Sequence, residues 1–211
     1  IDTQNYYEDT VPFSLAFSTF EYDDIVIYRS DWNKLDTFNL TQQSSPTERT
    51  IAPYEDERPE HYLDYFHGAL YVSPNGENIL DDGWVWQPVA VPSAWSIRTW
   101  LTKNPFESED GASLVQPCYR DNWDYPMCWI NNENVALWHI ELWDEDEFDL
   151  KPIPENKLGV HLINPLSENM WDDDYVPRYW EMPEQSQKIL NLYADQGKLI
   201  VIGNENISIY D

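Results

Sequence analysis

The chain has 211 residues, 39 of them Asp or Glu against 12 Lys or Arg, and a formal net charge of -27. A field of that sign repels nucleic acid and anionic membrane surfaces and attracts cations and basic proteins. Aromatic residues make up 15%, with eleven Trp and fourteen Tyr, which excludes a disordered chain; no run of about eighteen apolar residues is present to form a membrane-spanning helix.

Four units of short strands and polar turns follow in chain order. In the first, Phe13 to Ser18, Ile25 to Tyr28 and Leu35 to Leu40 alternate apolar and polar residues or carry β-branched runs, and Ser30 to Asn33 reads as a hairpin turn. Thr41 to Pro59 has three Pro, several Ser and Thr and no apolar period; this composition predicts a surface loop. The second unit is the clearest: Ala69 to Val72, a Ser73-Pro74-Asn75-Gly76 turn, Ile79 to Trp86, then Ala94 to Ile97. Ser96 to Thr102 is readable as a short helical or extended piece, and Phe106 to Gly111 as an acidic loop.

The third unit runs from Met127 to Ile130, through a turn at Asn131 to Asn134, into Val135 to Ile140. After acidic Asp144 to Glu147, Leu158 to Pro165 supplies its last strand. The fourth reads Ile189 to Tyr193, a turn at Asp195 to Gly197, Leu199 to Ile202 and Ile207 to Asp211. The turns fall at Ser18, Asn75, Asn131 and Asp195, so the unit recurs roughly every 55–65 residues, above the usual propeller-blade period. With no sustained helical period the expectation is an all-β chain, one domain over residues 1–211 with blade-like units near 11–42, 65–101, 125–166 and 187–211.

The Ser73-Pro74-Asn75-Gly76 turn between apolar strands, with Trp95-Ser96 and Tyr210-Asp211 in place of a closing Trp-Asp, is similar to the blades of WD-repeat β-propellers. The likeness is nearest to divergent bacterial WD-repeat-like proteins. It implies a rigid disc of about four four-stranded blades whose loops present a binding surface, with no catalytic residues. The Gly-His that opens a strong repeat is absent, and His67-Gly68, its reversal, is given no weight. Since Tyr210-Asp211 falls where a blade still lacks an outer strand, the expectation is a piece of a larger propeller; ring closure by Ile1 to Thr10 is the alternative.

Chemistry-bearing residues are scattered. The acidic runs Glu55 to Glu57, Asp144 to Glu147 and Asp172-Asp173-Asp174 lack the alternating Asp-x-Asp-x-Asp-Gly order that wraps a calcium ion, and read first as solvated loops. Glycoside hydrolysis needs two carboxyls roughly 5–10 Å apart, and among so many acids the sequence nominates no pair. Cys118, Cys128, His139 and His161 lack zinc spacing; a Cys118–Cys128 bridge stays open, with a reduced cytoplasmic setting as the default. Trp84, Trp86, Trp95, Trp129 and Trp138 lie in strand patterns and read as core. Trp32, Trp143, Trp171 and Trp180 lie in turns or beside acidic loops and, with Asp172, Asp173 and Asp174, are the candidate contacts for a basic protein partner. The leading expectation is a non-enzymatic interaction or scaffold module with no cofactor and no metal, and no direct nucleic-acid or membrane partner. A carbohydrate-binding or glycoside-hydrolysing propeller, and an acidic mimic of nucleic acid, are the alternatives.

Overall fold

A strand that is apolar on alternate residues has one face to hide, and in this chain most strands also carry apolar residues on the other face. Such sheets bury themselves only by stacking. The computed structural model describes residues 12–54, 57–86, 89–120, 125–139, 159–167, 178–182 and 189–211. Strands β1 (Leu15–Phe20), β2 (Asp23–Asp31) and β3 (Lys34–Asn39) form an antiparallel sheet in that order. Its turn between β1 and β2 lies at Glu21 and Tyr22, both at positive φ, and not at Ser18. Ser18 is a strand residue whose hydroxyl donates to the carbonyl of Gly76 at 3.1 Å, tying the first sheet to the second.

The second sheet comprises β4 (Phe66–Val72), β5 (Asn78–Val85), β6 (Val89–Ala90) and β7 (Ser93–Ser96), with β5 between β4 on one side and β6 and β7 on the other. Its Ser73-Pro74-Asn75-Gly76 turn closes by a Gly76 N–H bond to the Ser73 carbonyl at 2.8 Å, with Gly76 at φ 74°, a conformation that glycine adopts without the Cβ penalty. Ser96 then caps α1 (Ile97–Thr102), its hydroxyl accepting from the Thr99 N–H at 3.1 Å. The helical alternative for this segment is the one adopted.

The third sheet, β8 (Met127–Trp129), β9 (Val135–Trp138), β10 (Gly159–Ile163) and β11 (Arg178–Glu181), has the order β11-β10-β9-β8, and the fourth is β12 (Ile189–Asp195), β13 (Lys198–Gly203) and β14 (Ile207–Tyr210). Three apolar layers join the sheets in sequence. Ala16, Ile25, Ile27 and Leu35 of the first meet Ile79 and Trp95 of the second, with Trp100 of α1. Leu80 and Ala94, from the second sheet's other face, meet Met127, Trp129, Val135 and Leu137 of the third. Cys128, Ala136, Trp138 and Val160 then meet Leu192, Leu199 and Val201 of the fourth. The first strands lie side by side, β1 against β4, β4 against β8 and β8 against β12. This is the arrangement of successive propeller blades around an inner rim, and the all-β expectation holds.

One expected loop is neither a loop nor solvated. Glu107–Asp110 forms a short helix, α2, in which Glu107 and Glu109 are buried at 1% and 4% exposure. Glu107 accepts from the N–H and hydroxyl of Ser113 at 2.7 and 2.6 Å. Glu109 is clamped by the guanidinium of Arg49, itself buried although it belongs to the Thr41 to Pro59 stretch. The Arg49 head also donates to Asp36 and to the carbonyls of Leu35 and Thr47. Composition does not reveal a partner sixty positions away, and both segments read as solvated for that reason.

Removing one member of this ion pair leaves the other buried without compensation. Arg49→Met is expected to cost about 3–5 kcal/mol in urea unfolding, and adding Glu109→Leu to recover most of it. A double variant no more stable than Arg49→Met would show that the clamp does not act as a pair.

Candidate functional site

A cluster of four aromatic rings lies where the first and second sheets meet, at the end opposite the β1–β2 and β4–β5 turns. Trp32 sits in the β2–β3 turn, its N–H held by Asp31 Oδ1 at 2.7 Å and its carbonyl accepting from the His67 N–H at 3.2 Å. Its ring lies 4.6 Å from that of Phe66 at the start of β4. Phe66 pairs in register with Trp84 and stacks on it at 4.1 Å with 9° between the planes. Trp86 meets both edge-on, at 5.4 Å from Phe66 and 5.8 Å from Trp84, and is 65% exposed. Four rings thus form one platform with Trp86 at its open side. Trp86 is not core, as its strand pattern suggested; Trp95, Trp129 and Trp138 are. The missed signal is the i, i+2 spacing of Trp84 and Trp86, which puts both indoles on one face, in a strand about to stop before Pro88.

A groove opens at the loop that follows the first sheet. Asn33 Nδ2 donates to the Leu63 carbonyl at 2.7 Å and binds the following loop to the Trp32 turn. In that loop Tyr54 and Tyr62 lie 5.2 Å apart, with Arg58 over the Tyr62 ring. The Tyr62 hydroxyl titrates above its ordinary value, through burial first and then the field of Asp64, with Asp31 adding to it and Arg58 opposing it. The groove has a volume of about 630 Å³, with Tyr65, Val85, Leu114 and Tyr119 among its lining and Asp64, Glu109, Asp110 and Arg58 as its charged groups. His61 stacks on Phe106 at 3.8 Å and reaches Asp110 at 2.9 Å. Indole faces next to carboxylates favour a cation lying flat on a ring.

The other candidates resolve differently. Trp180 is in strand β11, not in a turn, and packs half-buried on the layer between the third and fourth sheets, apart from the Trp32 group. Its short strand follows a run of acids and Pro177, which hid the pattern. Trp143, Trp171, Asp172, Asp173 and Asp174 lie outside the described residues, as do the acidic run Asp144 to Glu147 and the pair Glu55 and Asp56. Among the described residues no three His, Cys, Asp or Glu side chains group to hold a metal ion. Cys118 and Cys128 are unbridged and buried, and burial pushes both thiols up to about 12, which keeps them protonated at neutral pH.

His67, dismissed in the sequence, is fully buried. Its Nδ1 lies 2.5 Å from Asp81, whose other oxygen accepts from the Gly68 N–H at 2.9 Å. Next to it the Tyr65 hydroxyl donates to the Val91 carbonyl and accepts from the Gly83 N–H; a Cβ on Gly83 would strike that ring. Asp82, on the opposite face of β5, pairs with buried Arg120. These carboxylates lock strands together and present nothing to solvent.

No family model and no curated protein matches the sequence. Solved structures similar to the chain are β-propeller proteins. An oligogalacturonate lyase in complex with manganese is 12% identical with a TM-score of 0.49, over 92% of this chain and 48% of that one. The β-propeller domain of Cps50 (Swd1) from Myceliophteria thermophila is 10% identical with a TM-score of 0.44, over 94% of this chain and 52% of that one. The chain therefore spans about half the length of these two structures.

One buried group reports on pH. His161 in β10 is 1% exposed and its Nε2 finds no hydrogen-bond partner among the described residues; burial, with His139 as the lesser cause, lowers its pKa to about 4. The unfolded imidazole, near 6.5, binds its proton first as pH falls, so this histidine's contribution is present above pH 6.5 and is lost as pH drops from 6.5 towards 4. Urea unfolding at pH 6.5 and 5.0 is expected to show the native chain losing about 1–2 kcal/mol more than His161→Gln. Equal losses would place the titration elsewhere.

Proposed function

We propose that this chain is a non-enzymatic protein-interaction module of the WD-repeat propeller type, which takes a basic segment of a partner protein onto the platform of Trp32, Phe66, Trp84 and Trp86. The carrying observation is the exposed Trp86 indole braced by three further rings; a separate groove bearing Asp64 and Asp110 opens at the loop that Asn33 ties to the Trp32 turn. An Arg or Lys head over such a ring contributes about 0.5–2 kcal/mol, more as water is excluded, and the net charge of -27 steers a basic partner to the surface. The aromatic rings supply short-range attachment and the carboxylates supply orientation. A cytoplasmic setting belongs to the same proposal, supported by two buried, unbridged cysteines.

The same exposed indole face suits a sugar ring, so a carbohydrate is the second reading, and salt separates the two. An Arg-rich peptide is expected to bind in titration calorimetry and to weaken at least tenfold between about 50 and 500 mM salt, because screening acts on exposed charges. Trp86→Ala is expected to weaken it about tenfold or more with the unfolding free energy within about 0.5 kcal/mol of the native value, as for a surface substitution. Asp64→Asn with Asp110→Asn should flatten the salt dependence. Oligosaccharide binding that ignores salt, with no peptide binding, would reverse the assignment.

A further inference from the structure

The four rings where the first two sheets meet determine which face of Trp86 is free. Phe66 and Trp84 stack at 4.1 Å with 9° between their planes. The centroid of Trp86 lies 5.4 Å from the first and 5.8 Å from the second, with its plane at 89° and 79° to theirs. A ring nearly equidistant from two stacked rings stands beside the stack and not over either outer face. Meeting them edge to edge at those separations would press carbon atoms well inside the contact distance of about 3.5–4.0 Å. One face of Trp86 is therefore laid across the edges of both rings, the T-shaped contact that sets positive ring edges on a negative ring face. Its opposite face is left to solvent, and Trp86 is 65% exposed while the other three rings are half-buried.

We propose that the occupant of this face is an arginine side chain, its guanidinium lying parallel to the Trp86 indole. The proposal rests on the reading of the platform as a site for a basic segment, and it names the residue that anchors that segment. A cage for a methylated ammonium group needs several ring faces turned towards one point. Here Phe66 and Trp84 are turned on each other and Trp32 on Phe66, which leaves a single open plane. A single plane suits a planar ion. The guanidinium stacks on aromatic faces and is weakly hydrated, whereas the lysine ammonium is a compact, strongly hydrated point charge. The ring edges behind Trp86 add to that difference. They draw negative potential away from the indole, which weakens its pull on a point charge more than the contact of one plane with another. The chain itself uses the same contact, with Arg58 over Tyr62 at 5.8 Å and Arg98 over Phe20 at 5.2 Å. Among the described residues no guanidinium lies over Trp86, although tryptophan is the best ring for one. Asp31, exposed at the end of β2 and bonded to the Trp32 N–H, brings a carboxylate to the Trp32 end of the platform, where the guanidinium fork has a partner.

The test uses peptides of one Gly-Ser background that carry arginine, lysine, trimethyl-lysine or citrulline at the same positions, titrated into the 211-residue chain at about 50 mM salt. The arginine peptide is expected to bind about fivefold or more tighter than the lysine and trimethyl-lysine peptides of equal charge. Citrulline, planar but neutral, should bind at least about tenfold more weakly than arginine. The δ-methylene protons of the bound arginine should shift upfield through the indole ring current. In Trp86→Ala, with native circular dichroism, that shift should vanish and arginine and lysine should bind within about twofold of each other. Equal binding of arginine and lysine by the native chain overturns this proposal and leaves the basic-segment reading standing, with charge alone as its basis. Tightest binding by trimethyl-lysine overturns it in favour of a cage. An arginine preference that persists in Trp86→Ala overturns it by placing the choice away from the indole. No binding by any peptide removes the basic-segment reading, and this proposal with it.

Discussion

The constraint on which the structure depends is that a sheet with two apolar faces cannot be satisfied by one neighbour. The second and third sheets each bury one set of alternate residues on the sheet before and the other set on the sheet after. Tyr71, Leu80 and Ala94 face one way while Val72, Ile79 and Trp95 face the other. Stacking is therefore the source of stability, and a single unit removed from the stack would expose about as much apolar surface as it buries. The same alternation makes register non-negotiable: slipping β5 by one residue would exchange Leu80 with Asp81 and place a carboxylate in the wrong layer.

The carboxylates use that geometry as well. Adjacent Asp81 and Asp82 point to opposite faces of β5 and find different partners, His67 with the Gly68 N–H for one and Arg120 for the other. Arg49 carries a similar lock outside the sheets, joining β3 and its following loop to α2. In a chain with only 12 basic residues, Arg49 and Arg120 are buried in such pairs and the surface loses their charge. Each takes a carboxylate inside with it, Glu109 and Asp82, so these pairs leave the net charge of the exterior unchanged.

The parts legible in the sequence were those set by local pattern. The Ser73 to Gly76 turn, the Asn131 to Asn134 turn and the paired strands on either side of each follow from alternation and turn chemistry. Trp32 was found because it interrupts a strand pattern at a turn. Phe66, Trp84 and Trp86 were missed because a platform is a cross-strand object: Phe66 meets Trp84 through register, and register spans a loop that local pattern does not cross. Buried ions were illegible for the same reason, since Arg49 with Glu109 and Asp82 with Arg120 pair over long separations. Trp180 was misplaced because four residues of strand carry too little alternation to outweigh an acidic approach.

Charge and ring geometry act on the proposed site at different ranges. The field of 27 net negative charges reaches a basic segment over roughly a Debye length, about 8 Å at physiological ionic strength, and speeds its encounter. It does not choose between arginine and lysine, which carry the same charge, so any choice has to be made in contact. There the orientation of one ring decides, and Trp86 lies one residue past the end of β5, where strand pairing does not hold it. The edges of Phe66 and Trp84 hold it instead, and those two rings are set opposite each other by the register of β4 and β5. That register is in turn enforced by the buried layers, since a slip of β5 would misplace Leu80 together with Trp84. The exposed indole is thus pre-organised by the same constraint that builds the stack, and a ring already held in place loses less freedom when a ligand lies down on it.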